Sequence, residues 1–398
     1  MAGSIQSNEV VFAITKQAGE DTGVPTTPVF DIIRRVDGNI DQNFNFTQSN
    51  EVDQTRQGSE QIKIGEPVEG SINGEMPLAD PVFRTLIEGG IQGEFGTATD
   101  FTGSTVSFDS TGSTIIDSGD TAFADVVEGQ FIGVTGSNDN DQVFRVITKT
   151  DDGEVIVAPA PTTEAAGQTV TIKGSMARSG KAKQAYSVQK RTPKSPSGYV
   201  YQTFQGVQVS GFDISLTSAS LFTTTFNFIG LSKLDQDTEV AGQTDNVSPS
   251  ARVIGSIDGI PNIWIDNVPQ VACSLKATDV TINVDNGSTG REALGCEGYA
   301  FISHDKINVT GSFNTYADAD NPLAEKVKAD NQTLFSLGIE TKDVDGNRMI
   351  ITRDSTLYTT LEQTETGNGD LVMNTGSVSS DGKNNVYLTT IQFDYIPA

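Results

Sequence analysis

The segment Val68-Glu69-Gly70-Ser71-Ile72-Asn73 occurs a second time, in similar form, as Val309-Thr310-Gly311-Ser312-Phe313-Asn314. Apolar and polar residues alternate in both copies, which is typical of a β-strand with one buried face. Seven residues separate the end of each copy from a proline, Pro81 and Pro322. The two copies therefore predict that the chain contains the same strand-to-helix unit twice.

Each proline marks the predicted start of a short helix. Asp80 and Asn321 precede the prolines, and Asp or Asn at the N-cap with proline at the first helical position favours helix initiation. The first helix has a predicted apolar face made of Val82, Phe83, Leu86 and Ile87. Gly89 and Gly90 are predicted to end it. In the second copy, Leu323 follows the proline and Val327 occupies the place of Leu86.

The two regions also end on similar strands. Thr224-Thr225-Phe226-Asn227-Phe228 resembles Thr389-Thr390-Ile391-Gln392-Phe393, and both alternate with period 2. Arg56-Gln57-Gly58 has a looser counterpart in Arg291 to Gly295, where the loop lengths differ. Any two β-domains share strand patterns, but a helix with the same cap, proline and spacing favours a true repeat.

Length and composition predict an all-β protein of several domains. A chain of 398 residues exceeds the usual size of one hydrophobic core, and its 40 glycines separate short Val, Ile and Phe runs. We expect antiparallel β-sandwich or barrel units with one short helix each. The predicted domains are a first unit (1–96 with 175–235), an inserted β-domain (97–174), a linker (236–250) and a second unit (251–398).

The inserted domain is predicted from short strands separated by Gly, Asp and Asn turns, namely Val106–Phe108, Phe131–Val134, Val143–Ile147, Val155–Val157 and Val170–Ile172. A basic cluster follows, consisting of Arg178, Lys181, Lys183, Lys190, Arg191 and Lys194. We interpret this cluster as a solvated loop. The alternative is a contact for an acidic neighbouring subunit.

The formal charge of -26 excludes a protein that binds nucleic acid by neutralising phosphates, because that affinity depends on Lys and Arg. Acidity can simply keep an abundant protein soluble. It can also provide a surface past which DNA slides without binding.

The sequence lacks the motifs of common enzymes. Neither GxxxxGK[ST] nor HExxH occurs, and the one histidine, His304, is interpreted as an edge or loop residue. The many Asp and Glu residues leave open a pair of catalytic carboxylates, as in a glycosidase. Aromatic residues for binding a sugar are scarce, however, because Trp264 is the one tryptophan and is predicted to lie in the core. We predict no enzymatic activity, no catalytic residues, no cofactor and no cofactor-binding residues.

Metal and disulfide frameworks are not predicted either. Cys273 and Cys296 lack CxxC spacing and are interpreted as buried thiols. The segments Asn138–Asp141 and Asp318–Asn321 lack the remainder of an EF-hand loop and are interpreted as tight turns. Residues 1–10 have no signal-peptide pattern, and no run of about 18 apolar residues occurs. We therefore expect no membrane span and a protein that begins as a soluble cytoplasmic product.

Several segments, in order, resemble the tail tube proteins of long-tailed, non-contractile bacteriophages. They are Phe30-Asp31-Ile32-Ile33-Arg34-Arg35, Ser49-Asn50-Glu51-Val52, Arg56-Gln57-Gly58, the segment 68–73 with its helix, and Tyr201 to Gly230 with Phe204-Gln205-Gly206-Val207. The resemblance covers most of residues 1–95 and 175–235 and, more loosely, 250–398. The order of the motifs carries it, rather than any single motif.

The resemblance implies a structural subunit of the virion tail. In that family, β-sandwich units with a helix join their strands into a continuous barrel, and stacked rings form the conduit for genome ejection. The expected partners are further copies of the chain, a tape measure protein, terminator and distal tail proteins, and viral DNA passing without specific binding. Residues 97–174 resemble outward-facing decorations.

The repeat predicts the number of chains in a ring. If one unit formed a sixfold ring through head-to-tail contacts, fusing two units would give a trimer with pseudo-sixfold symmetry. Two other classes stay open. An acidic surface or adhesive module would need an export route, and a carbohydrate-active β-enzyme would need catalytic carboxylates.

Overall fold

The computed structural model describes residues 5–50, 60–247, 250, 252–257, 259–317, 324–364, 372–380, 382, 387 and 389–398. Strands account for 53% of the structure and helices for 6%. The predicted all-β fold with a few short helices is confirmed.

The N-terminal part, residues 5–247, contains eighteen strands and one α-helix among its described residues, after a 3₁₀ turn at Ser7–Glu9. The first group is β1 (Val11–Gln17), β2 (Val29–Ile32), β3 (Asp37–Gln42), β4 (Asn45–Gln48), β5 (Gln61–Gly65), β6 (Val68–Glu75) and α1 (Pro81–Ile91). The second group is β7 (Thr99–Gly103), β8 (Val106–Asp109), β9 (Thr114–Asp117), β10 (Phe131–Thr135), β11 (Val143–Lys149) and β12 (Glu154–Ala158). The third group is β13 (Val170–Arg178), β14 (Ala185–Pro193), β15 (Tyr199–Thr217), β16 (Thr223–Gly230), β17 (Ser232–Gln236) and β18 (Thr244–Asn246).

The C-terminal part, residues 252–398, continues in the same style. Its described elements before the second helix region are β19 (Asn262–Ile265), β20 (Val268–Val271), α2 (Ala272–Leu275), β21 (Ala277–Asp285), β22 (Thr289–Arg291), β23 (Phe301–Ser303) and β24 (Asn308–Tyr316). They are followed by α3 (Ala324–Asp330), β25 (Phe335–Lys342), β26 (Arg348–Thr364), β27 (Met373–Ser380) and β28 (Gln392–Ile396).

Helix α1 begins as the sequence predicts. The Asp80 carboxylate accepts a hydrogen bond from the Val82 amide at 3.0 Å, and Pro81 is the first helical residue. The helix does not end at its glycines, however, but continues to Ile91 and is capped by Gln92 in the left-handed region. A Cβ atom on Gly90 would lie 2.3 Å from Cδ1 of Phe212. The glycines therefore allow close packing on β15, and the predicted helix end was wrong for that reason.

Helix α3 follows the second copy of the repeated strand, but its packing differs. Asn321, Pro322 and Leu323 lie outside the described residues. Val327 was predicted on the buried face and is 51% exposed, so that prediction was wrong. Polar groups take the inner side instead, because Glu325 accepts a hydrogen bond from the Tyr358 hydroxyl at 2.8 Å and pairs with Lys328 at 3.2 Å.

Eight strands form one antiparallel sheet, called here the main sheet. Their order is β3, β6, β16, β15, β21, β24, β27 and β26. The first four strands come from the N-terminal part and the last four from the C-terminal part. Buried side chains of both parts, such as Phe212 and Ile282, share one hydrophobic core on one side of this sheet.

The two parts follow the same order of strand pairing. In each part a long strand, β15 or β26, pairs with the strand before it along its first half and with the strand after it along its second half. The ladders are interrupted at matching places, at Tyr186/Val188 and Phe335/Leu337, and again after Val209 and Tyr358. Members of each matched pair are 149 positions apart (335 minus 186, and 358 minus 209). Matching irregularities are harder to obtain by chance than matching strands.

The strand pairing corrects one predicted correspondence. β16 pairs with β6 and β15, and the strand with the same neighbours in the C-terminal part is β27. Residues 392–396 form β28, which pairs with the first half of β26, as β17 pairs with β15. The match of 224–228 with 389–393 was therefore wrong, because period-2 alternation does not specify a strand's neighbour.

Two hairpins project between matching strands of the two parts. β4 pairs with β5 between β3 and β6, and β22 pairs with β23 between β21 and β24. The apolar residues in and beside β4 and β5 are exposed, namely Phe44, Phe46, Ile62 and Ile64. Arg56-Gln57-Gly58 lies outside the described residues.

Strands β7 to β13 form a further sheet with its own hydrophobic core. All five strands predicted between Val106 and Ile172 are present, and β7 and β9 were not predicted. β13 serves two sheets, because residues 170–174 pair with β7 and residues 175–178 pair with β28. Gly174 and Ser175 are consecutive paired residues, so the ladder is continuous between the two sheets.

Buried polar contacts attach this sheet to the C-terminal part. Arg145 pairs with Asp354 at 2.6 Å, and the Phe131 ring packs edge-on against Trp264. Asp394 accepts a hydrogen bond from the Phe131 amide at 2.9 Å. Burial raises the pKa of Asp394 to about 7, although the Gln392 side chain and the Phe131 amide oppose the increase.

The predicted linker contains a short strand. β18 pairs in parallel with β2, and the Asp245 carboxylate forms an ion pair with Arg191 at 2.5 Å. This part of the connection is therefore attached to the N-terminal part.

Candidate functional site: a polar sheet face between two open edges

One face of the main sheet is polar across all eight strands, and we call it the polar face. Residues directly opposite each other in an antiparallel ladder point to the same side, so the register identifies its members. It consists of alternate residues in 37–41, 69–75, 223–227, 211–217, 279–285, 308–314, 375–379 and 360–364. The opposite face of the same strands carries the buried apolar residues.

The polar face is acidic. Within the ranges just given it carries no Lys or Arg, and its carboxylates are Asp37, Asp41, Glu69, Glu75, Asp213, Asp279, Asp285 and Glu362. Such a face offers DNA phosphates no cationic anchor and repels them over roughly one Debye length, about 8 Å at physiological salt.

Hydrogen bonds connect neighbouring strands across this face. Asp279 accepts from the hydroxyl of Thr217 on β15 at 2.8 Å and from the hydroxyl of Ser312 on β24 at 3.2 Å. The Asn283 amide donates to Asp213 at 2.5 Å. These bonds orient carboxylates along the sheet, which suits a fixed surface.

The carboxylate at the β3 edge is held differently. Burial would raise the pKa of Asp41, but the Gln42 backbone amide and the Lys190 ammonium group outweigh this effect and lower it. Lys190 also donates to Asn39 at 2.8 Å. Lys190, which is not part of the polar face, therefore places a positive charge beside β3.

The main sheet has an open edge on each side. Among the described residues, β3 pairs with β6 alone, and residues 357–364 of β26 pair with β27 alone. Unpaired strand edges are templates for pairing with another chain.

The middle of the sheet shows how such edges join. Residues 211–217 of β15 pair with residues 279–285 of β21, and this contact joins the N-terminal part to the C-terminal part. We call it the internal join. In the matched pairing order β26 occupies the place of β15, and β3 occupies the place of β21. The strands at the two open edges are thus the counterparts of the two strands of the internal join.

His304 and Trp264 were considered above in connection with catalysis, and both make contacts that belong to the fold. His304 lies beside Ser288 at 3.0 Å and Gln92 at 2.5 Å, and burial together with Lys183 lowers its pKa. Trp264 is buried, as predicted, and donates to Glu340 at 3.2 Å. Among the described residues, no group of three or more His, Cys, Asp or Glu side chains is arranged to hold a metal ion.

Two other sequence predictions need correction. Cys273 and Cys296 are exposed, not buried, because they lie in α2 and in the loop between β22 and β23. The basic cluster is not a solvated loop throughout, since Lys190 and Arg191 belong to β14 and pair with Asp41 and Asp245. Lys194 pairs with Asp237.

Residues 138–141 lie in a bend between β10 and β11 that side-chain hydrogen bonds hold in place. The Asp141 carboxylate accepts from the Ser137 amide at 2.8 Å, and the Asn140 amide group donates to Glu164 at 3.0 Å. The other proposed turn, at 318–321, lies outside the described residues.

The sequence reasoning missed which carboxylates share one face. The available signal was the polar half of each period-2 pattern, for example Asp213, Ser215 and Thr217. Without the register between strands, that signal does not assemble into a surface.

A long antiparallel sheet with an acidic face and matching open edges is typical of a structural protein that associates with copies of itself. A protein-family model described as phage tail tube protein matches residues 7–393, nearly the whole chain. The chain belongs to the phage tail tube protein family and is a component of the virion tail. No curated protein matches it significantly. In the part of the chain that the structure describes, no helix is long and apolar enough to cross a membrane.

Proposed function

We propose that the chain forms the wall of a siphophage tail tube as stacked trimeric rings with pseudo-sixfold symmetry, and that the polar face lines a conduit for genome ejection. The observation that carries the proposal is the internal join together with the two open edges. Repeating that join between chains uses the same contact head to tail, which closes into a ring when the rotation allows.

The proposed units are residues 1–96 with 175–235, and residues 251–398, with 97–174 as an outer decoration. The matching pairing order and ladder irregularities support this division. Three chains would contribute three times eight, or twenty-four, main-sheet strands. At a spacing of about 4.8 Å, and before strand tilt, their circumference is roughly 115 Å and their diameter roughly 37 Å. Subtracting about 5 Å of side chains on each wall leaves roughly 27 Å, wider than a DNA double helix.

The internal join predicts the register between chains. Gly211 lies opposite Asp285, and their counterparts at the open edges are Thr360 and Asn43. The counterpart of Asp285 is Asn43 because Asp285 lies opposite Asn308, while the Asn43 amide bonds to Pro67, the residue before β6. Thr360 of one chain should therefore lie opposite Asn43 of the next.

The test is a disulfide across this predicted pair. In a Cys273→Ser, Cys296→Ser background, Thr360→Cys with Asn43→Cys should oxidise to covalent trimers on a non-reducing gel. The matched control pairs Thr360→Cys with Asp37→Cys, shifted by about 20 Å along β3, and should not cross-link efficiently. Electron microscopy of the tube should count three chains per ring.

Two results would contradict the proposal. Six full-length chains per ring would exclude the trimer. Material that stays monomeric at high concentration over a range of salts would exclude the tube wall itself. Within the proposed tube, the tape measure, terminator and distal tail proteins are the expected partners, and assembly takes place in the host cytoplasm.

A further inference from the structure

The end of helix α1 is covered by the C-terminal part of the same chain. The Asn286 amide group donates to the carbonyl oxygens of Val209 at 2.7 Å and Gly90 at 3.2 Å. Gln92, which caps the helix, lies against His304 at 2.5 Å. Gly90, Ile91 and Gln92 are all buried as a result.

The end of helix α3 has the same backbone geometry without such a cover. Gln332 adopts the left-handed conformation that Gln92 adopts, with φ of 51° and 52°. The next amide bonds back to the helix in both cases, from Gly93 to Glu88 and from Thr333 to Lys328. Residues 330–334 are nevertheless exposed. Polar cap residues explain part of this exposure, but Leu334 is an exposed apolar side chain at the same place.

A matching cover is present on the opposite side of the chain. Asn286 comes directly after Asp285, and Phe44 comes directly after Asn43, its counterpart at the open edge of β3. Phe44 and Phe46 therefore stand where Asn286 and Ser288 stand in the C-terminal part. Both phenylalanines are more than half exposed, at 55% and 54%.

We infer that Phe44 and Phe46 of one copy cover the C-terminal end of α3, residues 330–334, in the adjacent copy of the same ring. The inference rests on the proposed function, since it repeats the internal join between chains. In the internal join the cover is held by the Asn286 hydrogen bonds. Between copies the contact is apolar, with the two phenylalanines and Leu334 removed from water together. The partner is thus a second copy of this chain.

The first test removes the apolar contact. Phe44→Ser with Phe46→Ser should leave the monomer folded, with the far-UV circular dichroism and melting temperature of the unaltered chain. It should raise the protein concentration needed for ring formation by roughly tenfold or more, since each tenfold step corresponds to about 1.4 kcal/mol. Val127→Ser is the matched control, because Val127 is 46% exposed and lies outside the main sheet. Unchanged ring formation in the double variant would overturn the inference.

The second test locates the contact. Asn286 and Gly90 correspond to Phe44 and Asp330, so Phe44→Cys with Asp330→Cys, in the cysteine-free background, should form disulfide-linked trimers in isolated single rings. Linkage that appears only in stacked rings would overturn the inference. No linkage, while the Thr360/Asn43 cysteine pair still oxidises, would overturn it and leave the proposed function standing. Failure of both pairs would overturn both.

Discussion

Arg353 is a buried cation in the core of the C-terminal part. It lies opposite Leu337 in the ladder between β25 and β26, and the matching position between β14 and β15 is occupied by Phe204 opposite Val188. Its guanidinium nitrogens have no hydrogen-bond partner among the described residues. Burial lowers the pKa of Arg353 to about 10. Because burial places the folded-state pKa below that of the unfolded chain, this charge costs stability below about pH 10, and the cost declines as the pH rises above about 10.

Arg353→Phe should therefore stabilise the chain. Replacing an unpaired buried charge with the residue used in the matching position should raise the free energy of unfolding by about 1–3 kcal/mol. Chemical denaturation at neutral pH measures the change. The converse variant, Phe204→Arg, should lower stability by at least as much. A less stable Arg353→Phe protein would show that the guanidinium group has a partner in the folded state.

Single residues were predictable where local chemistry decides their role. Asp80 and Pro81 begin α1 because an N-cap and a proline act within one turn of helix. Trp264 was correctly predicted to be buried. Cys273 and Cys296 were not, since cysteine has no local pattern that separates a core thiol from one in a loop. Arg353 could not be predicted either, because its burial depends on which strands surround it.

Helix α1 depends on glycines that the sequence alone suggests are helix breakers. Gly90→Ala should lower the free energy of unfolding by about 1–3 kcal/mol, since the added Cβ would overlap the Phe212 ring. The steric overlap therefore outweighs the gain of about 1 kcal/mol that alanine brings to a helix interior. Thermal or chemical denaturation provides the measurement.

A control measures the effect of an added Cβ at a position that has room for it. Gly19→Ala, where a Cβ would meet Thr22 at 3.5 Å, should be close to neutral. If Gly90→Ala were stabilising, α1 would have room to move away from β15.

At the scale of elements, the sequence predicted which segments are strands more accurately than it predicted their neighbours. The five strands predicted between Val106 and Ile172 are all present, because alternation and turn residues are local signals, whereas β9 in the same range was not predicted. The counterpart of β16 was misassigned, because pairing is a long-range property. The hairpin of β4 and β5 shows a third limit, since alternating apolar residues indicate a strand but not whether its apolar face is buried, and here it is exposed.

At the scale of the whole molecule, charge should regulate assembly. Rings would bring the polar faces of neighbouring chains together, and in the proposed register Glu362 of one chain lies opposite Asp41 of the next. Raising the salt from about 20 mM to about 500 mM should therefore lower the concentration needed for assembly, because screening weakens this repulsion. Light scattering follows the reaction.

Glu362→Gln should reduce this salt dependence, because it removes one member of the repelling pair. Glu154→Gln, on the β7–β13 sheet, is the control and should retain the salt dependence of the unaltered chain. Assembly that weakens as salt is added would mean that attraction between opposite charges dominates at the contact.

The order of several motifs made the family recognisable from the sequence, and the family match confirms that recognition. The division into two units, an insertion and a linker stays a prediction, supported by the matching pairing order. The polar face could not be drawn from the sequence, because it is defined by the register of eight strands. Its acidity, in contrast, was already visible in the net charge of -26.

The continuous pairing of β13 affects how the two sheets that share it can move relative to each other. Its residues pass from one ladder to the other without an unpaired position, from Gly174 opposite Thr99 to Ser175 opposite Tyr395. A hinge needs backbone that can rotate without breaking hydrogen bonds, and this crossing has none. A force on the β7–β13 sheet is therefore transmitted through β13 to β28 and β26. Bending one sheet against the other requires breaking hydrogen bonds of the β13 ladders.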